Sequence, residues 1–215
     1  MLNSFVKEGI FEIDDVCHRD HPFHPNIKAS CSFDSDGGWL VILKRNAAVS
    51  EHVKFNRSWA NYKQGFGDLE TEFWYGLDNI HCLTTREPVD LMIELKRNDG
   101  TEIVWTYGQF VVDGALNKYT LHIGEATGPT GQHDAMARQN GRPFTTYDSD
   151  NDESSAKNCA VKYGGGWWHQ ACFDSQLTGP HERGGNHIQI QWRTSSRHEY
   201  FPNVTMKIRP KHCAC

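Results

Sequence analysis

The sequence predicts an α+β domain of mixed antiparallel sheets, with few short helices and a loop-rich C-terminal region. Three observations carry that reading. β-rich runs recur at 39–44, 89–96, 103–107, 109–112, 119–123, 188–193 and 205–209, most of them parted by Gly, Asn or Asp. Helix signals are sparse and short. From Gly124 to Gly185 the composition turns to Gly, Asp, Asn, Ser and Thr with little periodicity.

Taken in chain order, Trp39-Leu-Val-Ile-Leu43 is an apolar run of strand length. Ser58–Lys63 offers a Ser cap and an amphipathic turn that stops at Gly65-Phe-Gly67. Phe73–Leu77 with Asp78–Leu83 reads as a second short helix, capped by Asp78. Leu91–Lys96 alternates in part, as a sheet with one wet face requires. Asn98-Asp-Gly100 is a hairpin turn between two strands. No repeat or linker divides the 215 residues, so one domain over 1–215 is expected. A 60-residue stretch without regular structure, such as the one that opens at Gly124, needs fasteners, either disulfides or a metal ion.

Composition removes several classes of function. Lys+Arg number 22 against 27 Asp+Glu, a net charge of −5 with dispersed basic residues, which argues against nucleic acid. No apolar run nears the roughly 20 residues of a membrane helix, so no membrane span is expected. Seven cysteines, with sequons at Asn56 and Asn203, favour an oxidising, secreted setting. Met1-Leu-Asn-Ser-Phe lacks the features of a leader, so a mature form with a start Met is expected. The 12 His do not fall into a catalytic spacing. Pro22 and Pro25 break any helix that would align His18, His21 and His24, so the chain reads as a non-enzyme.

Asp148-Ser-Asp150-Asn-Asp152 places carboxylates at alternate positions, which suits the oxygen shell of calcium. It is not an EF-hand: Glu153 stands at position six and Cys159 at position twelve. Cys159 and Cys172 bracket a loop with three glycines, Tyr163 and the pair Trp167-Trp168. A disulfide closing it would contribute roughly 3 kcal/mol. In this reading one Trp, Trp167, anchors the loop in the core, while Trp168 or Tyr163 lines a surface pocket.

The segments Gly37–Ile42, Phe55–Gly67, Glu72–His81, Asp148–Ser155, Asn158–Val161, Gly165–Trp168 and Thr205–Pro210, with thirteen positions from Cys159 to Cys172, resemble the fibrinogen C-terminal-related domain family. Within it the likeness is to the lectin branch (ficolins, tachylectins and mollusc sialic-acid-binding lectins). The resemblance implies an N-terminal subdomain near 1–45 and a central sheet subdomain near 46–123. It implies a calcium and ligand region over 124–215 with a returning C-terminal strand. It places Ca2+ on the Asp150 and Asp152 side chains and the Ser154 and Ala156 carbonyls, with Lys157 the alternative to Ala156. It pairs Cys159 with Cys172 and makes Ala171–Cys172 a cis peptide whose amides meet an acetyl oxygen. Tyr163 falls on a pocket Tyr. Phe173 replaces the usual His, so the methyl cage becomes Tyr163, Phe173 and His181. Arg183, beside Gly184 and Gly185, faces the pocket and pairs with a carboxylate, favouring sialic acid over an N-acetylhexosamine. The usual first cysteine is replaced by Leu2, which leaves Cys31 to pair with Cys17.

The function implied is a secreted, calcium-containing lectin for N-acetylated glycans in innate recognition, working as a homo-oligomer, disulfide-linked through Cys213 or Cys215. The alternative is a protein-binding module like the angiopoietin and fibrinogen branches, holding a receptor or peptide at the same end.

Overall fold

In the computed structural model the described residues are 7–13, 27–182 and 189–211. Strands in chain order are β1 (Lys7–Ile13), β2 (Ile27–Asp34), β3 (Gly37–Arg45), β4 (Phe66–Gly67), β5 (Phe73–Trp74), β6 (Val89–Lys96), β7 (Glu102–Tyr107), β8 (Phe110–Val112), β9 (Leu121–Ile123), β10 (Ala126–Thr127), β11 (Ser175–Gln176), β12 (Gln191–Arg193), β13 (His198–Tyr200) and β14 (Asn203–Pro210). The helices are α1 (Trp59–Gln64), α2 (Leu77–Arg86) and α3 (Cys159–Tyr163).

A nine-stranded sheet runs β1-β2-β3-β14-β6-β7-β10, with β5 also on β3 and β4 on β5. The last strand thus lies in the middle, antiparallel to both β3 and β6. On β6 each alternate side chain from Val89 is buried, the one-wet-face pattern expected of that run. The β6–β7 turn is closed by Asp99, whose Oδ1 accepts the Thr101 amide at 2.9 Å, with Gly100 at φ 87°. Two smaller sheets, β8-β9 and β11-β12-β13, build the remainder.

The helices form where caps permit. Ser58 Oγ accepts the Asn61 amide at 3.3 Å and starts α1, and Gly65 at φ 96° ends it. The expected second helix is displaced. Phe73 and Trp74 pair with Lys44 and Leu43 as strand β5, and α2 begins after Gly76. Asp78 sits in its first turn, not at the cap, and accepts the Tyr119 hydroxyl. Tertiary pairing overrode the local signal there.

The core is aromatic. Tyr62, Trp74, Phe144 and Trp168 pack edge-on or tilted, with centroids 5.1–6.1 Å apart. Trp167 and Trp168 are both fully buried, so of the two residues expected to line a surface pocket, Trp168 or Tyr163, Trp168 does not. The Trp168 indole N–H, donated to the Tyr119 carbonyl at 2.8 Å, holds that ring inside.

The cysteines divide as follows. Cys159 and Cys172 are bonded, with Cα atoms 5.6 Å apart. Cys82 is also disulfide-bonded. Cys31, expected to pair with Cys17, is instead a free buried thiol on β2, which lies between β1 and β3. Cys17, Cys213, Cys215 and the histidines at 18, 21 and 24 lie outside the described residues. So do Arg183, Gly184 and Gly185. No described helix is long and apolar enough to cross a membrane.

Candidate functional site

The disulfide loop opens with α3, a helix the sequence reading missed. Its signals are local: the Asn158 side chain accepts the Val161 amide at 3.0 Å, and Gly164 at φ 75° closes the last turn. Gly165 and Gly166 are set by close approach. A Cβ on Gly165 would stand 2.3 Å from the Thr178 carbonyl oxygen, and one on Gly166 would stand 2.7 Å from the Tyr62 ring. They are glycines because backbone and ring approach that closely.

The acidic segment divides into anchor and site. Asp148 Oδ1 accepts the Trp59 amide at 2.8 Å and the Thr146 hydroxyl at 2.7 Å, so it ties this segment to the start of α1. Asp152 Oδ1 accepts the Ser154 amide and its Oδ2 the Cys159 amide, both at 2.8 Å. Asp150 Oδ1 accepts the Asp152 amide at 3.3 Å. Burial pushes Asp152 above the usual carboxylate range; the Cys159 and Ser154 amides oppose this, and the Asp150 charge adds to it. The Glu153 amide donates to the Gln170 carbonyl at 2.9 Å, fastening this segment to the far arm of the disulfide loop.

Beside the disulfide, Tyr163 and Phe173 meet edge to face, with centroids 4.8 Å apart. With Cys159 and Cys172 they form a small cluster separate from the main core. Ala171–Cys172 is a cis peptide, as the resemblance implied. The Cys172 and Phe173 amides find no acceptor among the described residues. Behind them His169 is fully buried, and burial depresses its pKa to about 4.

His181 does not join this cage. Its Nε2 lies 2.5 Å from Glu72 Oε1, its Nδ1 lies 3.1 Å from the Tyr200 hydroxyl, and its ring stacks on His52 at 3.8 Å. The cause is Glu72, a fully buried carboxylate that also accepts Arg45 Nε at 3.1 Å. Burial alone would raise its pKa, yet the His181 bond and the Arg45 charge hold it at about 2.

The sequence reading missed a basic fringe next to Phe173. Asp174 accepts from Arg193 Nη1 at 3.3 Å and lies 3.0 Å from His133 Nε2, with Arg138 Nη1 at 3.5 Å. Arg138 Nε also donates to Gln170 Oε1 at 2.6 Å. No sequence spacing links these residues, which come from three segments.

The family model for the C-terminal globular domain of fibrinogen beta and gamma chains matches residues 16–211. The chain belongs to the fibrinogen C-terminal domain family. Tenascin-R from Gallus gallus is 38% identical over 98% of the chain, which covers 15% of that much longer protein. Techylectin-5A from Tachypleus tridentatus is 36% identical over 84% of the chain and 62% of its own length. The fibrinogen-like globe domain of human ANGPTL2 superposes with a TM-score of 0.77 at 31% identity, covering 96% of this chain and 94% of that one. The mostly antiparallel sheets and few short helices of this fibrinogen-like domain therefore accord with its relatives.

Proposed function

We propose that this fibrinogen-like domain is an extracellular lectin module that takes an N-acetyl group against the outer faces of Tyr163 and Phe173. The observation that carries the reading is the pair of unengaged amides at Cys172 and Phe173, beside two aromatic faces fastened by a disulfide. Those amides suit an acetamido oxygen and the rings suit its methyl group. Similarity to Techylectin-5A supports a glycan ligand. The basic fringe of Arg138 and Arg193, whose side chains are 40% and 48% exposed, offers a partner for a sugar carboxylate. A sialic acid is therefore preferred to a neutral N-acetylhexosamine.

Calcium belongs to the same reading. Asp150 and Asp152 would hold it with the carbonyls of Ser154 and Ala156. The donor set fits: two adjoining carboxylates, one of them driven toward protonation by burial and by its neighbour, gain from a cation between them. The bound ion would supply charge neutralisation, and the chain itself would shape the pocket.

Glycan-array binding, with competition by free N-acetylneuraminic acid and N-acetylglucosamine, tests the proposal. Binding should be competed by the acetylated sugars, more strongly by the sialic acid, and should fall on chelation by EGTA. An array blank for N-acetylated glycans, together with capture of a protein or peptide by the same face, would replace the lectin with a protein-binding module.

A further inference from the structure

We propose that His52, Glu72 and His181 form a binding site for a divalent transition-metal ion of the zinc class, distinct from Asp150 and Asp152. One ligand atom from each of the three lies within 4.8 Å of the others. They come from segments far apart in the chain: the loop after β3, the turn before β5 and the loop after β11.

The carboxylate is fixed in advance. Glu72 Oε1 accepts Arg45 Nε and the Asn46 amide, each at 3.1 Å, and Oε2 accepts the Val53 amide at 2.9 Å. Oε2 keeps a second lone pair, and His52 Nδ1 sits 3.2 Å from it. A tetrahedral zinc shell with bonds near 2.0 Å sets its ligand atoms about 3.3 Å apart, so this edge already has the required length. His181 Nε2 is the third donor. Its other nitrogen meets the Tyr200 hydroxyl at 3.1 Å, the outer contact that orients ligating histidines. Each imidazole would bind the ion through the nitrogen that now faces Glu72, with its proton on the other one, facing Tyr200 in the case of His181, and the stacked rings must fan apart to admit it.

Two imidazoles and one carboxylate select a borderline ion over calcium or magnesium, which prefer all-oxygen shells. Arg45 opposes a cation, but its guanidinium is also spent on the carbonyls of Leu177 and Gly179, at 3.2 and 2.6 Å. The fourth position opens on a cleft of about 500 Å³ whose lining includes Glu51, Lys54 and Glu182. Water can complete the shell there.

Zinc(II) and cobalt(II) titrated separately into chelator-stripped protein, by calorimetry and visible absorption with calcium in excess, test this. The chain has 12 His, so the readout is the loss of one equivalent and not total uptake. His52→Gln and His181→Gln should each lose one zinc equivalent, together with the intense cobalt band of a tetrahedral site. His52, with a side chain 33% exposed, is the safer substitution and decides the matter if the buried His181 variant fails to fold. A His52→Gln protein with wild-type stoichiometry and spectrum would overturn the proposal, as would displacement of the zinc by calcium.

Discussion

The Tyr62 hydroxyl accepts the backbone N–H of Gly166 at 3.0 Å and donates its own proton to the Phe55 carbonyl at 2.7 Å. One buried hydroxyl on α1 thus positions the backbone of the disulfide loop, 104 residues further along the chain. The disulfide loop stands on α1 and the segment before it through contacts of this kind.

Gly166→Ala should therefore be costly. Its Cβ would fall 2.7 Å from the Tyr62 ring and 2.9 Å from Phe144, inside a closed aromatic cluster. Overpacking of this sort costs roughly 1–3 kcal/mol. Urea unfolding should show that loss, whereas Gly141→Ala, with nothing within 4 Å of the added Cβ, should lose less despite its φ of 74°.

Asp152→Asn keeps the shape of the carboxylate but removes its charge from the Ser154 and Cys159 amides. Both oxygens accept amides, so the Asn NH2 must face one of these donors and leave it unpaired, a loss of about 1–3 kcal/mol. Thermal melts with calcium and with EGTA should also converge for this variant, while the wild type melts higher with calcium. A variant that retains the calcium shift would place the ion elsewhere.

His169 gives the domain an acid-sensitive core. Its pKa falls from 6.5 unfolded to about 4 folded because burial disfavours the imidazolium. Between those values the unfolded chain binds the proton and the folded one does not, so stability is full above 6.5 and declines as pH falls toward 4. The span corresponds to about 3 kcal/mol at most. Denaturation midpoints across this range should drop, and His169→Gln should flatten the slope without abolishing folding.

Arg45 and Glu72 are a buried pair, with side chains 1% and 0% exposed. Arg45→Met strands the carboxylate and two carbonyls, and breaking such a pair costs roughly 3–5 kcal/mol. Adding Glu72→Gln should restore part of that stability, measured by chemical denaturation, because the stranded charge is then gone.

Local signals were legible in the sequence, and distant partners were not. The Ser58 cap, the Asn98–Gly100 turn and the partial alternation of Leu91–Lys96 each act within a few residues, and each is found. Phe73-Trp74 was misread because its partner strand β3 lies 30 residues away. β2, with its Ser and Lys interruptions, is a strand only because β1 and β3 flank it. In the candidate site, Tyr163, Phe173 and the disulfide were placed by resemblance and do come together. His181 was misassigned because its partner Glu72 stands 109 residues upstream, beyond any periodicity. Asn158 and Gly164 did announce α3, but five residues are too few to show an amphipathic pattern.

The placement of β14 between β3 and β6 has a consequence for biosynthesis. A ribosome delivers the chain from its amino end, so the two flanking strands emerge long before the one that bridges them. Until residues 203–210 clear the exit tunnel, the inner edges of β3 and β6 stay open to water and to other nascent chains. Closure of this sheet is thus a late event, and premature termination upstream of residue 203 leaves two sticky halves rather than a smaller stable domain.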